Sequence, residues 1–159
     1  MPKPIRSAAL AALSTLLGAC ATSGASSDTR PSFVNPPGLS TPAGFTHVVD
    51  VPAGRTIYVA GQVAKDSKGQ VVGKGDMRAQ AEQVFRNIQA ALESRGAGLG
   101  DIVQLTAYIR DMSQLAAYRE VRERVLGTHP RPASSLLGVA ALASDDYLLE
   151  VEVVAAPRH

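Results

Sequence analysis

From Leu148 to Val154 the side chains alternate. Leu149, Val151 and Val153 fall on one side of an extended chain; Leu148, Glu150, Glu152 and Val154 fall on the other. A period of two belongs to a strand and cannot be laid along one stripe of a helix. One face of this strand therefore needs a core, and the other carries two carboxylates two residues apart. The run Arg131-Pro132-Ala133-Ser134-Ser135-Leu136-Leu137-Gly138-Val139 precedes it, across the turn signal Ala143-Ser144-Asp145-Asp146. Two sequential strands are expected. The apolar residues around the carboxylate pair suit that face to burial at an interface.

The segments upstream supply the rest of a fold. Pro31, Pro36, Pro37 and Pro42 make the stretch up to Gly44 extended and exclude a helix. Phe45 to Val51 alternates around Val49 and Val51, Pro52-Ala53-Gly54 is a turn, and Thr56-Ile57-Tyr58-Val59-Ala60 is a β-branched strand ending at Gly61-Gln62. Strand, short turn, strand predicts a hairpin. Lys65 to Gly75 is a polar, glycine-containing loop. Asp76 then caps a helix in which Met77, Ala81, Val84, Phe85, Ile88 and Leu92 share one face, closed by Gly96. Asp101 to Ile109 is another strand. A second helix begins at Ser113, with Leu115, Tyr118, Val121, Val125 and Leu126 on one face, and ends near Gly127. The order ββαβαββ predicts an α+β domain: one mixed sheet with both helices on one face. Its other face is left open, and an open apolar sheet face is an oligomer interface.

The first residues follow a different logic. Lys3 and Arg6 precede a short apolar run, Ser7 to Leu17, and then Leu17-Gly18-Ala19-Cys20. Such an order describes a secretory signal, and the run is too short to span a bilayer. Leu-Gly-Ala-Cys resembles the bacterial lipobox, which makes Cys20 the lipidated first residue of the mature chain. The alternative is a plain secretory signal with an incidental Cys. Ala21, in place of the Asp that retains lipoproteins in the inner membrane, implies a periplasm-facing protein on the outer membrane. The divisions are then a signal at 1–19, the lipidated Cys and a small, polar tether at 20–32, and a domain at 33–159. Cys20 is the only cysteine among 159 residues, so disulfides and cysteine chemistry are excluded from the domain. Without Lys3 and Arg6, 14 cations face 14 carboxylates. Charge balance, with no basic stripe and no aromatic platform, argues against a nucleic-acid partner.

Several features are together similar to the RidA/YjgF (Rid) family over residues 33–156. These are Gly61-Gln62 at the end of a strand, Gln80-Ala81 and Phe85-x-Asn87-Ile88 on the first helix, and Gly100-Asp101-Ile102-Val103 before the next strand. Pro132-Ala133-x-Ser135 and Glu150-Val151-Glu152 complete the set. The resemblance implies a chorismate-mutase-like homotrimer whose ligand clefts lie between subunits, with no cofactor. It also implies enamine or imine deamination, in which an Arg at the x of Pro-Ala-x-Ser grips the carboxylate of a 2-imino acid. A last-strand Glu positions the attacking water. Here Ser134 stands at x and Glu150 matches the Glu. Phe45 takes the place of an early Tyr, and Arg119 that of an Asn on the second helix. The expected cleft is Glu150 as the catalytic group with Ser134, Phe45, Gly61, Gln62, Arg119 and Arg131 around a small ligand. A Ser hydroxyl offers a carboxylate no charge, so Arg131 or Arg119 would have to supply it. The alternative is a membrane-anchored module that binds a ligand or a partner without turnover.

Other chemistries fit less well. His47 reads as a surface or edge histidine, and His129 and His159 have no metal-ligand spacing, so no metal site is expected. Ser134-Ser135 has no His and Asp at triad spacing. The Lys65–Gly75 loop has no phosphate-loop pattern. The charged run Arg119 to Arg124 reads as a solvated helix face.

Overall fold

The structure, a computed structural model, describes residues 30–157 together with Met1. Residues 2–19 of the expected signal, Cys20, most of the tether and His159 lie outside the described residues.

Six strands and two helices follow in the order β1 (Ser32–Val34), β2 (Val48–Asp50), β3 (Ile57–Gln62), α1 (Met77–Glu93), β4 (Ile102–Ile109), α2 (Leu115–Leu126), β5 (Ala133–Gly138) and β6 (Leu149–Ala155). The expected ββαβαββ run is present, with the short β1 added in front. Four strands form one mixed sheet in the spatial order β3-β6-β4-β5. β6, last in sequence, inserts between β3 and β4 and is antiparallel to both, whereas β4 and β5 are parallel. A parallel pair needs a crossover, and α2 supplies it.

The alternation in β6 is realised as read. Leu149, Val151 and Ala155 are completely buried and Val153 nearly so. This face packs against α1. α1 contributes Met77, Ala81, Val84, Phe85, Ile88 and Leu92, the same stripe that its sequence period marks. Each of the larger of these side chains contributes about 1.5–3 kcal/mol through burial. α2 lies beside α1 and adds Tyr118 and Val121, with Tyr118 stacked at 6.5 Å on Phe85. Asp76 caps α1 by accepting hydrogen bonds from the amides of Arg78 and Ala79. Beyond its end the chain reverses at Gly96, whose φ is +67°, and Ala97 N–H closes back on the Leu92 carbonyl.

Three expectations are corrected. The hairpin between residues 45–51 and 56–60 does not form: β2 pairs with β1, Phe33 opposite Val49, while β3 pairs with β6, Val59 opposite Val153. Alternation marks a strand but not its partner, and the proline-flanked segment supplied an unforeseen strand. The second helix starts two residues later than Ser113. Asp111 accepts the Ser113 amide and caps a 3-10 turn, Met112–Gln114, ahead of the α-helix. Finally, the open sheet face is not simply apolar. It presents Gln104, Thr106, Tyr108, Glu150 and Glu152 beside Tyr58 and Val154, with Tyr58 80% exposed.

Candidate functional site

Glu150 sits on β6 opposite Tyr108 of β4, on the open face. Its carboxylate lies directly over the backbone of Gly61. A Cβ at position 61 would stand 1.9 Å from Oε1 and 2.7 Å from the carboxyl carbon. Gly61 therefore makes room for Glu150, at the place where the β3–β6 register shifts between Val59 and Gln62. Such an irregularity re-aims side chains next to it. Gln62, opposite Val151, turns its amide back to the carbonyl of Ala60 at 3.0 Å. The structure thus brings Glu150 and Gly61 together and leaves Gln62 bonded to its own strand.

The loop feeding Glu150 is fixed by a side chain that was read only as part of a motif. Gln80 of α1 is fully buried. Its amide nitrogen donates to the carbonyls of Asp146 at 2.7 Å and Gly73 at 3.2 Å, and its Oε1 accepts the amide of Leu148 at 2.9 Å. Every partner of Gln80 is backbone, so it works as a bracket between two loops, two residues ahead of Glu150.

A second group of expected residues gathers at the outer edge, along β5. Thr46 forms an isolated parallel bridge with Ala133, and its amide donates to the Pro132 carbonyl at 3.1 Å. In parallel pairing, neighbours in register share a face. Phe45 and His47 therefore lie on the side of Ser134. The rings of Phe45 and His47 meet edge to face at 5.1 Å, and both residues are half-buried. His47 is more constrained than an edge histidine: its Nε2 is 2.8 Å from the Ser40 carbonyl and its amide donates to Asn35 Oδ1 at 2.9 Å.

The arginines do not substitute for one another. Arg119 is exposed on α2. Arg131 forms a two-pronged pair with Glu123, at 2.6 and 2.7 Å. This bond holds the Glu123 carboxyl below the usual carboxylate range and raises Arg131. Arg122, not singled out in the sequence, passes under Gly44 and donates to its carbonyl. Its place in a mixed-charge run gave no signal that it points inward.

Ser134 pairs with Leu105, which pairs with Val153. Ser134 therefore belongs to the helix side of the sheet and Glu150 to the open side. Two strand spacings and three residues separate them, about 14 Å. Within one chain the two expected cleft walls do not meet. The open face also holds a concavity of about 360 Å³ lined by Tyr58, Gln104, Thr106, Glu152 and Val154. There the Tyr108 hydroxyl donates to Glu152 Oε1 at 3.0 Å, a bond that raises the Tyr108 pKa. Neither Glu150 nor Ser134 lines that concavity. Among the described residues no cluster of His, Cys, Asp and Glu suits a metal ion.

Comparison with known proteins gives a consistent picture. A family model described as endoribonuclease L-PSP matches residues 38–157. A RutC-family protein of Pyrococcus horikoshii is 36% identical over 105 residues, covering 66% of this chain and 82% of the relative. The 2-iminobutanoate/2-iminopropanoate deaminase of Salmonella typhimurium is 32% identical, covering 70% and 88%. Among solved structures, the Rid-family protein YyfB of Yersinia pestis superimposes with a TM-score of 0.74 at 34% identity, over 80% of this chain and 98% of that one. TdcF of E. coli with bound serine gives 0.61 at 27% identity, over 67% and 84%.

Proposed function

Because this chain belongs to the endoribonuclease L-PSP family, which takes in the RidA/YjgF proteins, we propose that it is a homotrimer whose intersubunit clefts bind a small imine or enamine and hydrolyse it to a carbonyl compound and ammonia. One observation carries this reading. Glu150 is held over a glycine backbone on one side of the sheet, while Phe45 and Ser134 share the other side at the β5 edge. Two half-sites on opposite faces of one chain become one site only where a second copy docks. The Salmonella typhimurium relative is named for the same chemistry.

In that cleft the Glu150 carboxylate accepts a hydrogen bond from water and takes its proton as the oxygen attacks the imine carbon. That proton passes to nitrogen to give a carbinolamine. Its hydroxyl then gives up the second water proton, which also goes to nitrogen as the carbon–nitrogen bond breaks, so the carbonyl forms and ammonia departs. Gly61 leaves the carboxylate space to do this, and the Gln80 bracket fixes the strand that bears it. Cleavage of RNA, the activity in the family description, is less well supported. A phosphate backbone would run past Glu150, while Arg131 is already neutralised by Glu123.

Ligand binding without turnover is the second reading. It is favoured by Ser134, which supplies no charge, and by the serine held in the TdcF crystal structure. Ammonia release from an imine generated in solution separates the two. Activity that falls at least a hundredfold in Glu150→Gln supports hydrolysis; binding with no ammonia in either form refutes it. Light scattering of residues 32–159 should give three times the chain mass, and a monomer would remove the cleft.

The anchoring belongs to the same reading. We place the protein in the periplasm, held to the outer membrane through Cys20. Cys20→Ser should release it from the membrane fraction, and unchanged association would refute the anchor. No helix among the described residues is long and apolar enough to cross a membrane.

A further inference from the structure

Next to Ser134 the arginines are tied up within the chain, and that limits what the wall can hold. Arg131 is engaged on both prongs by Glu123, Arg122 donates to the Gly44 carbonyl with its Nε buried, and Arg119 is exposed on α2. Moving Arg131 toward a ligand would break a two-pronged, charge-assisted pair and leave Glu123 behind. The Ser134 hydroxyl and the imidazole of His47 lie on the Phe45 side.

His47 is oriented for a particular kind of partner. A carbonyl can only accept, so the Ser40 carbonyl 2.8 Å from Nε2 requires the hydrogen on Nε2. In the neutral ring Nδ1 is then a bare acceptor. Phe45, packed against the ring at 5.1 Å, limits its swing. An acceptor beside a hydroxyl repels a carboxylate oxygen and welcomes an N–H or O–H donor.

We propose that His47 is a specificity-determining residue of the cleft. With Ser134 it selects an uncharged imine or enamine bearing a hydrogen-bond donor, such as an amide or hydroxyl, in preference to a 2-imino carboxylate. The inference rests on the intersubunit cleft proposed above, and it names the ligand class that cleft takes. His47 Nδ1 accepts from the donor group, and the Ser134 hydroxyl bonds the same group or its carbonyl.

Two product-like probes on one carbon skeleton, a neutral donor and an anion without donors, test this: 2-oxobutanamide and 2-oxobutanoate, titrated calorimetrically into the intact assembly. The amide should bind more tightly. His47→Ala should weaken the amide roughly three- to tenfold, the worth of one neutral hydrogen bond, and leave the carboxylate unchanged or improved. His47→Gln, whose side-chain oxygen can also accept, should recover part of the loss. Ser134→Arg should invert the preference toward the carboxylate. A carboxylate that binds as well as the amide in the natural protein overturns the assignment of His47 and leaves the cleft standing. If neither probe binds while the trimer is intact, the cleft reading falls along with it. Equal weakening of both probes by His47→Ala would mark a structural role and also refute the proposal.

Discussion

Gly61→Ala separates the geometry of the Glu150 carboxylate from the stability of the fold. An alanine Cβ would stand 1.9 Å from Oε1, 2.7 Å from Cδ and 3.0 Å from Cγ of Glu150. Real Cβ contacts stay above about 3.0 Å, so the carboxylate must retreat by about 1.1 Å. The backbone does not resist the change, since Gly61 is not among the glycines with positive φ. The loss of a glycine stabilises by about 0.4–1 kcal/mol through the unfolded chain. An off-rotamer Glu150 costs about 0.5–1.5 kcal/mol. The two nearly cancel, so the melting temperature should move by no more than a few degrees. Function should not be spared: a displacement of about 1 Å at a reacting group is worth about a hundredfold in rate. The measurement is kcat/KM for ammonia release beside a thermal melt, with Gly61→Ala and Glu150→Gln in parallel. Full turnover in a stable Gly61→Ala protein would refute the reasoning, because the carboxylate would then not need its position. A melt lowered by more than 10 °C or so would also refute it, placing the clash on the sheet instead of on a flexible carboxylate.

Further outcomes follow from the buried polar groups and the ion pairs. Gln80→Leu strands the Leu148 amide and the Asp146 and Gly73 carbonyls, and should cost about 3–5 kcal/mol in urea denaturation; a loss under 1 kcal/mol would mean the loops hold themselves. The Tyr118 hydroxyl is buried with no hydrogen-bond partner among the described residues and has its pKa pushed up to about 12 by burial. Tyr118→Phe keeps the stack on Phe85 and should be neutral or more stable by about 1 kcal/mol, whereas a clear loss in the same assay would reveal a partner. Glu123 is depressed first by its hydrogen bond from Arg131. A lowered folded value stabilises above the ordinary carboxylate range and is lost as pH falls through the depressed one. The urea midpoint of Glu123→Gln should thus lie below the natural protein's at neutral pH and converge with it in acid; a gap that widens on acidification would contradict the pairing.

How much of this was legible beforehand divides along physical lines. The core face of β6 and the buried stripe of α1 were readable because burial imposes a period, and Leu149, Val151, Phe85 and Ile88 keep it. Strand partners were not, because alternation at Val49 is satisfied equally by β3 or by β1. Gly61 and Glu150 were expected in one cleft from a resemblance, yet the reason for the glycine, a carboxylate resting on it, needed coordinates. Arg131 looked free in sequence and is occupied in space, since Glu123 is eight residues away and reaches it only after the chain turns at Gly127. His47 looked peripheral because its constraint comes from the Ser40 carbonyl, and backbone acceptors leave no mark on a sequence.

The placement of Ser134 and Glu150 on opposite faces of one sheet has a genetic consequence. In the proposed trimer each cleft borrows one wall from each of two neighbours, so two dead alleles need not stay dead together. A chain damaged only at Ser134 and a chain damaged only at Glu150, expressed together and mixing freely, would build about one cleft in four from two sound walls. Neither parent alone would have any. Complementation between the two would distinguish a shared cleft from one contained in a single chain, and no ligand would have to be known to score it in cells that depend on the activity.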